Sequence, residues 1–339
     1  MWQDFVDNNQ NSTILHDPRF IQIIEQVYKC QAMPQIINTE QGPCGIPAFK
    51  VHSLLSGRKI TSMPFNFYPS LLGVENDLEA FLHLVELAKE LGKNFYVEYK
   101  TFNNLPIDSL YGEPIFKTSS SIVSVLTLKE KYAEQQAGYK KSRRQDVRRT
   151  RRRARERGFQ FAKANDLSEV REFYDLLSRL YRDKHHMISH PRITFEQIYH
   201  LLVPLDLADF YLALFEKTVQ AGIVVLKKNN HWEYSWAASS EQYQELGLNA
   251  ILVDWAIQEA IAARAKTLGF GSSSPNDENL LFFKGSWGCK HRPIYYYYWN
   301  HEPHPVDLET SFLIVRRFLP YIPLWLIRSI VPYLVPQLA

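Results

Sequence analysis

The 339-residue chain is long enough for two domains and, at 45% hydrophobic residues, for a sizeable core in each. Its net charge is only +3, yet Lys140 to Arg157 holds eleven basic and two acidic residues, so the remainder is net acidic. Cys30, Cys44 and Cys289 are odd in number and lack C-x-x-C spacing, which excludes a disulfide framework or zinc site and fits a reducing cytosol; no secretory leader or membrane span of roughly 18 apolar residues is expected.

In chain order, Asp17 to Tyr28 reads as a helix with Phe20, Ile23, Ile24 and Val27 on one face. Gly42 to Ser53 and Arg58 to Pro64 form an expected strand pair that turns at Ser56-Gly57. Asp77 to Leu91 is an amphipathic helix closed by Gly92, and Asn94 to Tyr99 alternates as a strand. The prolines and glycine between Asn103 and Pro114 mark a boundary. The expected domains are therefore residues 1–115 and 116–300, with the 301–339 tail packed on the first. The first has no phosphate-binding turn, and its expected role is to shape one wall of a cleft. No internal sequence repeat is visible.

Ser119 to Leu128 is β-prone and leads into a basic helix over about Lys129 to Arg157. Arg144, Arg148, Arg151 and Arg155 line one face of it, and Val147, Thr150 and Ala154 form a thin apolar seam. Like charges at this density repel, which calls for an anionic counterpart. The readings are a solvated face paired with acids from elsewhere, a site for a polyanionic substrate (tRNA, a nucleotide-sugar or a lipid pyrophosphate), or nonspecific nucleic-acid binding. Arginine's fork suits phosphate oxygens. Phe159 to Ala162 is a strand, and Asp166 caps a helix that runs to His185. His185, His186 and His190 lack a carboxylate or cysteine at ligand spacing, so no metal site is expected. His186 is a candidate for acceptor binding or proton transfer, against an ordinary surface role.

Thr194 to Leu202 is a short helix, and Asp209 to Glu216, Gly222 to Lys228 and Trp232 to Ala238 make an antiparallel meander. A polar link, Ser239 to Leu248, holds Gly247 and precedes Asn249, the expected N-cap of a helix to Leu268 that Gly269 stops. That helix is apolar on most of its circumference and should be buried. A short strand and loop from Phe270 to Pro275, the stretch Asn279 to Gly288 and a strand from His291 to Trp299 follow. A strand opening into a glycine-bearing turn and a helix aims unpaired N–H groups outward, where they receive a phosphate or carboxylate. The tail from Leu308 to Ala339 carries Phe312, Leu313, Phe318, Leu319, Trp325, Leu326 and Ile327 beside Arg316, Arg317 and Arg328. These pack on the N-terminal half or lie in a lipid headgroup layer.

This layout resembles the core of the GNAT acyltransferases, in which the turn takes the pyrophosphate of an acyl-coenzyme A. Gln244 to Asn249 partly follows the family's Q/R-x-x-G-x-G/A pattern, with Asn249 in place of the second small residue. Gly269-Phe270-Gly271-Ser272-Ser273-Ser274, then Phe283-Lys284-Gly285-Ser286-Trp287-Gly288 and a strand of tyrosines, resemble the Fem-type branch. Met63-Pro64-Phe65 with Tyr68-Pro69 resembles a loop of the same branch. That branch includes peptidoglycan-bridge peptidyltransferases and acyltransferases linked to polysaccharide export.

The resemblance implies an α/β (α+β) fold of tandem GNAT-like domains, each a mixed, mostly antiparallel sheet flanked by helices. It implies transfer of an acyl or aminoacyl group to an amine or hydroxyl of an anionic cell-envelope or polysaccharide precursor, by direct attack. Lys284 matches a family position near the transferred group. Asp254 and Glu233 are candidate bases, and the backbone of Trp236 to Ser239 is a candidate for oxyanion and acyl-amide contacts. Donor contacts are expected from Trp236, Ala237, Ala238, Gln244, Gly247, Leu248 and Asn249. Acceptor contacts are expected from Arg144, Arg148, Arg151, His186 and Tyr234. The aminoacyl-tRNA-using Fem enzymes often carry a coiled-coil arm, and no long heptad insertion occurs here, which favours acyl-coenzyme A over tRNA. The expected location is the cytoplasm or the inner membrane face. A noncatalytic GNAT-like binding protein and a basic-helix nucleic-acid binder are the alternatives.

Overall fold

The structure is a computed structural model that describes residues 1–65, 67–68, 71–302 and 317–338. Pro69 of the expected Fem-like loop lies outside the described residues, as do Leu308, Phe312, Leu313, Arg316 and Ala339 of the tail. The N-terminal half begins with α1 (Trp2–Asp7) and α2 (Pro18–Tyr28). Asp17 caps α2 by accepting the Arg19 N–H at 3.0 Å, and Pro18 at the first turn costs no hydrogen bond. Strands β1 (Gln31–Ala32), β2 (Gln35–Thr39), β3 (Gly42–Ile46), β4 (Phe49–Ser53), β5 (Gly57–Thr61) and β6 (Leu72–Gly73) follow. Helix α3 (Asp77–Leu91) leads to β7 (Phe95–Thr101), the short β8 (Ser109–Leu110) and the long β9 (Glu113–Thr127).

The C-terminal half runs α4 (Tyr132–Ala137), α5 (Lys141–Glu156), β10 (Gln160–Lys163), α6 (Leu167–Asp183), α7 (Arg192–Leu201), β11 (Ala208–Phe215), β12 (Thr218–Lys228) and β13 (His231–Ser239). A 3-10 helix, Glu241–Leu246, then leads into α8 (Leu248–Ala262), β14 (Thr267–Ser273), α9 (Glu278–Ser286) and β15 (Lys290–Trp299). The tail contributes α10 (Leu324–Leu334).

Two copies of one arrangement stand out. β4 pairs antiparallel with β5, which crosses over through α3 to the parallel β7. β12 pairs antiparallel with β13, which crosses over through α8 to the parallel β14. Parallel neighbours need such a crossover, and a helix is the usual means. Among the described residues both copies belong to one twelve-stranded sheet, ordered β1-β4-β5-β7-β15-β9-β14-β13-β12-β11-β10 with β8 on β9; β2, β3 and β6 form a separate three-stranded sheet. β15 joins the copies by pairing antiparallel with β7 on one side and β9 on the other. The boundary expected at residues 115/116 falls inside β9.

The expected elements recur with shifted ends, each for a local reason. The basic helix breaks at Gly138 into α4 and α5, because Tyr139 turns inward against Trp287 and the Lys140 N–H bonds the Ser286 carbonyl at 3.0 Å. Asn249 is the second residue of α8, not its cap, and the left-handed Gly247 precedes the helix. α8 ends at Ala262, before Arg264 adopts a positive φ, so Gly269 lies inside β14 and does not stop the helix. Its nearly all-round apolar character places it between α5 and the sheet, with Leu252, Val253, Ala256 and Ile257 fully buried. Large aliphatic side chains so enclosed contribute about 1.5–3 kcal/mol each.

One face of the C-terminal sheet is covered by α6 and α7, joined there by α2 and α10. The tail therefore packs on both halves. Ile327 and Val331 enter the core with Phe173 and Ile24, Arg328 pairs with Asp175 at 2.6 Å, and the Ser53 hydroxyl donates to the Gln337 carbonyl at 2.7 Å. A second tie is charged: the buried Lys228 of β12 meets the fully enclosed Asp17 carboxylate at 2.7 Å. Removing one partner strands the other without water. Asp17→Ala should therefore lower unfolding stability by about 3–5 kcal/mol, read by denaturant melts.

Candidate functional site

β13 and β14 run together for three residue pairs, His231 with Thr267, Trp232 with Leu268 and Glu233 with Gly269. Beyond that point they part. β14 slips in register on β9 between Gly269 and Ser272, and β13 slips on β12 so that Ser235 is an extra residue between Tyr234 and Trp236. Bulges of this kind bend a strand and re-aim its side chains. Two irregularities on facing strands open a notch at their carboxyl ends, where open α/β sheets bind ligands.

Glu233 sits at the point of the notch. Its Oε1 accepts the Gly271 N–H at 3.0 Å, and its Oε2 accepts the Tyr68 hydroxyl. Tyr68 comes from the loop after β5 in the N-terminal half, so the two halves meet on this carboxyl group. At Gly269 a Cβ would lie 1.7 Å from Oε2, so any side chain there must displace the carboxyl, and Gly271 needs its positive φ to turn its N–H inward. Burial raises the Glu233 pKa to about 7, opposed by the bonds from Tyr68 and Gly271 and by the charge of Lys284. Burial and the neighbouring carboxyl hold the Tyr68 phenol well above its ordinary range, so it remains a donor.

Lys284 reaches the same strand from α9. Its ammonium donates to the Gly271 carbonyl at 3.0 Å, the Ser272 carbonyl at 3.2 Å and the Ser273 hydroxyl at 2.7 Å. Those three bonds use all of its donors. Burial lowers its pKa to about 8. Lys284 thus pins β14 where it has left β13. Arg143 braces α9 from α5, donating to the Ser286 hydroxyl at 2.9 Å and stacking over Phe283 and Trp287.

The other expected site residues are distributed around this notch. Tyr234 packs edge-on against Phe270, its counterpart across the parting strands, at 5.3 Å between centroids. Trp236 packs edge-on against His190 and Phe195 on the α7 side. His190 pairs with the Tyr28 hydroxyl, and burial lowers its pKa to about 4, which keeps it neutral. Ala238 faces the core shared with α6, while Ala237 faces the side of α8. His186 is exposed in a left-handed conformation.

The turn after β13 was expected to hold open amides, and the chain itself takes several of them. Ser240 N–H bonds Gln220, Tyr243 N–H bonds Ser240, and Gly247 N–H bonds Gln244. Gln244 is exposed, Leu248 and Asn249 head α8, and the Asn249 side-chain oxygen is buried without a partner. Helix α5 clamps this turn through Thr150, whose hydroxyl donates to the Leu246 carbonyl at 2.8 Å, and through an exposed Arg157–Glu245 pair. Asp254 lies on the α5-facing side of α8, fully buried, and takes Arg151 at 2.8 Å, the Tyr132 hydroxyl and the Gln258 amide. It anchors the basic helix and touches no residue of the notch. Arg144 donates to the Ala137 carbonyl, and Arg148 remains exposed. Among the described residues no group of three His, Cys, Asp or Glu side chains is placed to hold a metal ion.

The meander, the parting parallel strands and the crossover helix agree with a match over residues 141–278 to the family model described as "Acetyltransferase (GNAT) domain". That stretch is similar to a GNAT acetyltransferase domain. The match begins with α5 and ends as α9 starts, so Glu233, Gly269 and Gly271 lie inside it and Lys284 just beyond. No curated protein matches the sequence. Among solved structures, FemX has a TM-score of 0.63 at 12% identity, covering 93% of this chain and 98% of its own. L-PGS from Bacillus licheniformis has 0.51 at 9% identity, covering 90% and 97%. The C-terminal domain of a protein described as a lysylphosphatidylglycerol synthetase from Agrobacterium fabrum has 0.51 at 11% identity, covering 88% and 95%. At these identities the likeness is one of fold.

Glu233 and Gly269 form a testable pair. Gly269→Ala should cost about 1–3 kcal/mol by forcing the carboxyl aside, and much less in a Glu233→Ala background. A double-mutant cycle in urea measures the coupling, and additive effects would show that the two do not collide.

Proposed function

We propose that this GNAT-type acyltransferase moves an aminoacyl or acyl group onto an amine or hydroxyl of an anionic cell-envelope precursor, within the notch between β13 and β14. The observation that supports it is the buried carboxyl of Glu233, poised near neutrality by burial at the junction of the two halves. The acceptor nitrogen or oxygen attacks the acyl carbon directly. Its proton passes to the Glu233 carboxylate, the new bond forms as the bond to the donor's oxygen or sulfur breaks, and the proton leaves with that atom. The edge of β13 from Trp236 to Ser239, unpaired on the β14 side, supplies N–H groups for the donor and the oxyanion. Lys284 acts as a positioning residue that fixes β14, and Tyr68 orients the base.

The turn bears on the donor. With much of its backbone self-bonded, it offers a coenzyme A pyrophosphate little beyond the start of α8. The arginines exposed along α5, Arg148, Arg152 and Arg155, suit a larger polyanion. This favours an aminoacyl-tRNA donor over the thioester expected from the sequence. The fold shared with a protein described as a lysylphosphatidylglycerol synthetase supports aminoacyl transfer by analogy. Acyl-coenzyme A is the second reading, carried by the match to the acetyltransferase domain. Single-turnover transfer from each donor class to lipid-linked and nucleotide-linked precursors decides between them, and no transfer from either would remove the proposal.

Glu233→Gln separates chemistry from folding. Its kcat should fall by roughly 10²–10⁴, and the rise of wild-type kcat with pH through about 7 should disappear. Stability should move the other way. The folded-state pKa is raised from 4.5 to about 7, so the folded protein holds a proton that the unfolded chain has lost in that window, and wild-type stability falls as pH rises across it. The glutamine variant escapes that loss and should gain about 1–3 kcal/mol over wild type at pH 8 relative to pH 4. Thermal melts at both pH values check this, and an unchanged rate and pH profile would remove Glu233 as the base.

A further inference from the structure

Helix α10 has an inverted surface. Ile327 and Val331 are buried in the main core, yet the opposite stripe, Trp325, Leu326, Ser329, Ile330, Tyr333 and Leu334, is exposed and holds one polar side chain. Trp325 and Tyr333 are 68% and 67% exposed. A helix apolar all round is normally enclosed, and an apolar stripe left open marks an interaction surface.

The stripe does not stand alone. The tip of the β4–β5 hairpin presents Leu54 and Leu55, exposed at 93% and 61%, and is tied to the tail by the Leu54 N–H bond to the Gln337 side chain at 2.7 Å. Phe318 and Tyr321 extend the patch before the helix. Two segments 270 or more residues apart in the chain thus bring open apolar side chains to neighbouring positions.

The charges around the patch name the occupant. From Arg317 to Gln337 the chain has no acidic residue and two arginines, Arg317 and Arg328. Lys29 lies over the Tyr333 ring at 5.0 Å, and Arg317 is exposed. A groove of about 440 Å³ opens beside Trp325, and its walls hold Arg192, paired with Glu196, and Arg328, paired with Asp175, so among the described residues the unpaired rim charges are Lys29 and Arg317. Tryptophan, tyrosine and leucine with a cationic rim is the composition that settles at the headgroup–acyl boundary of an anionic bilayer. No helix among the described residues is long and apolar enough to cross one. We infer that α10 and the Leu54–Leu55 tip form a docking surface that seats the protein on an anionic lipid bilayer. This surface does not depend on the chemistry proposed for the notch.

The test is flotation of the full chain with phosphatidylcholine vesicles containing or lacking phosphatidylglycerol, at low and high salt. The protein should float with the phosphatidylglycerol vesicles at low salt and leave them at high salt. Trp325→Ser/Tyr333→Ser and, separately, Leu54→Ser/Leu55→Ser should each weaken partition roughly ten-fold or more while melting as wild type. All four positions are open to solvent, so folding is preserved. Absence of flotation with anionic vesicles overturns the inference, and so does equal flotation by both variants. A patch used for self-association would show as a dimer that the same variants dissociate, with no vesicle binding, and that result also overturns it.

Discussion

One carboxyl group, placed where two parallel strands separate, organises the structure. Glu233 is taken from water by the sheet and met by a backbone N–H from β14 and a phenol from the other half of the chain. Burial of an acid is unfavourable unless it is neutral or well bonded, and here both apply: its pKa rises to about 7 and each oxygen has a donor. The glycines opposite it follow from that placement, since Gly269 leaves room for the carboxyl and Gly271 supplies the N–H. Lys284 then holds the departing strand by its carbonyls, which keeps the notch from zipping closed.

The N-terminal copy of the same strand–helix–strand unit shows the alternative outcome. At its equivalent junction the buried Glu98 is paired with Lys59 at 2.9 Å and accepts the Thr61 hydroxyl, while Lys100 donates to the Phe65 carbonyl. Two lysines hold the Glu98 pKa at about 2, and burial lowers that of Lys100 to about 8. The carboxylate there is fully committed to its neighbours. The loop after β5 of the first copy supplies Tyr68 to the second, so the copies differ in how each buried acid is satisfied.

Most elements were legible because their signals are local. The Asp17 and Asp166 caps, the Gly92 stop and the alternating strands depend on neighbours within a turn or two. Helix ends near Gly138 and Arg264 shifted because tertiary contacts and a left-handed residue decided them. At the site, Lys284 was recognisable from its motif, but its direction towards three β14 acceptors was not. Glu233 and Asp254 looked alike as acids in apolar stretches. What separates them is the company each keeps: Arg151 neutralises Asp254, whereas Glu233 meets a tyrosine 165 positions away in the chain. The glycines at 269 and 271 were the readable trace of that long-range meeting, since small residues facing an acid signal a close approach.

The position of β15 carries a consequence for how this protein is made. The strand occupies the middle of the large sheet, between β7 and β9, yet among the described residues it follows every other strand in the chain. Until it arrives, β7 and one side of β9 are raw edges that invite pairing with other nascent chains. A chain translated through β14 but not yet through β15 therefore carries an open seam, which the tyrosine strand closes when it pairs.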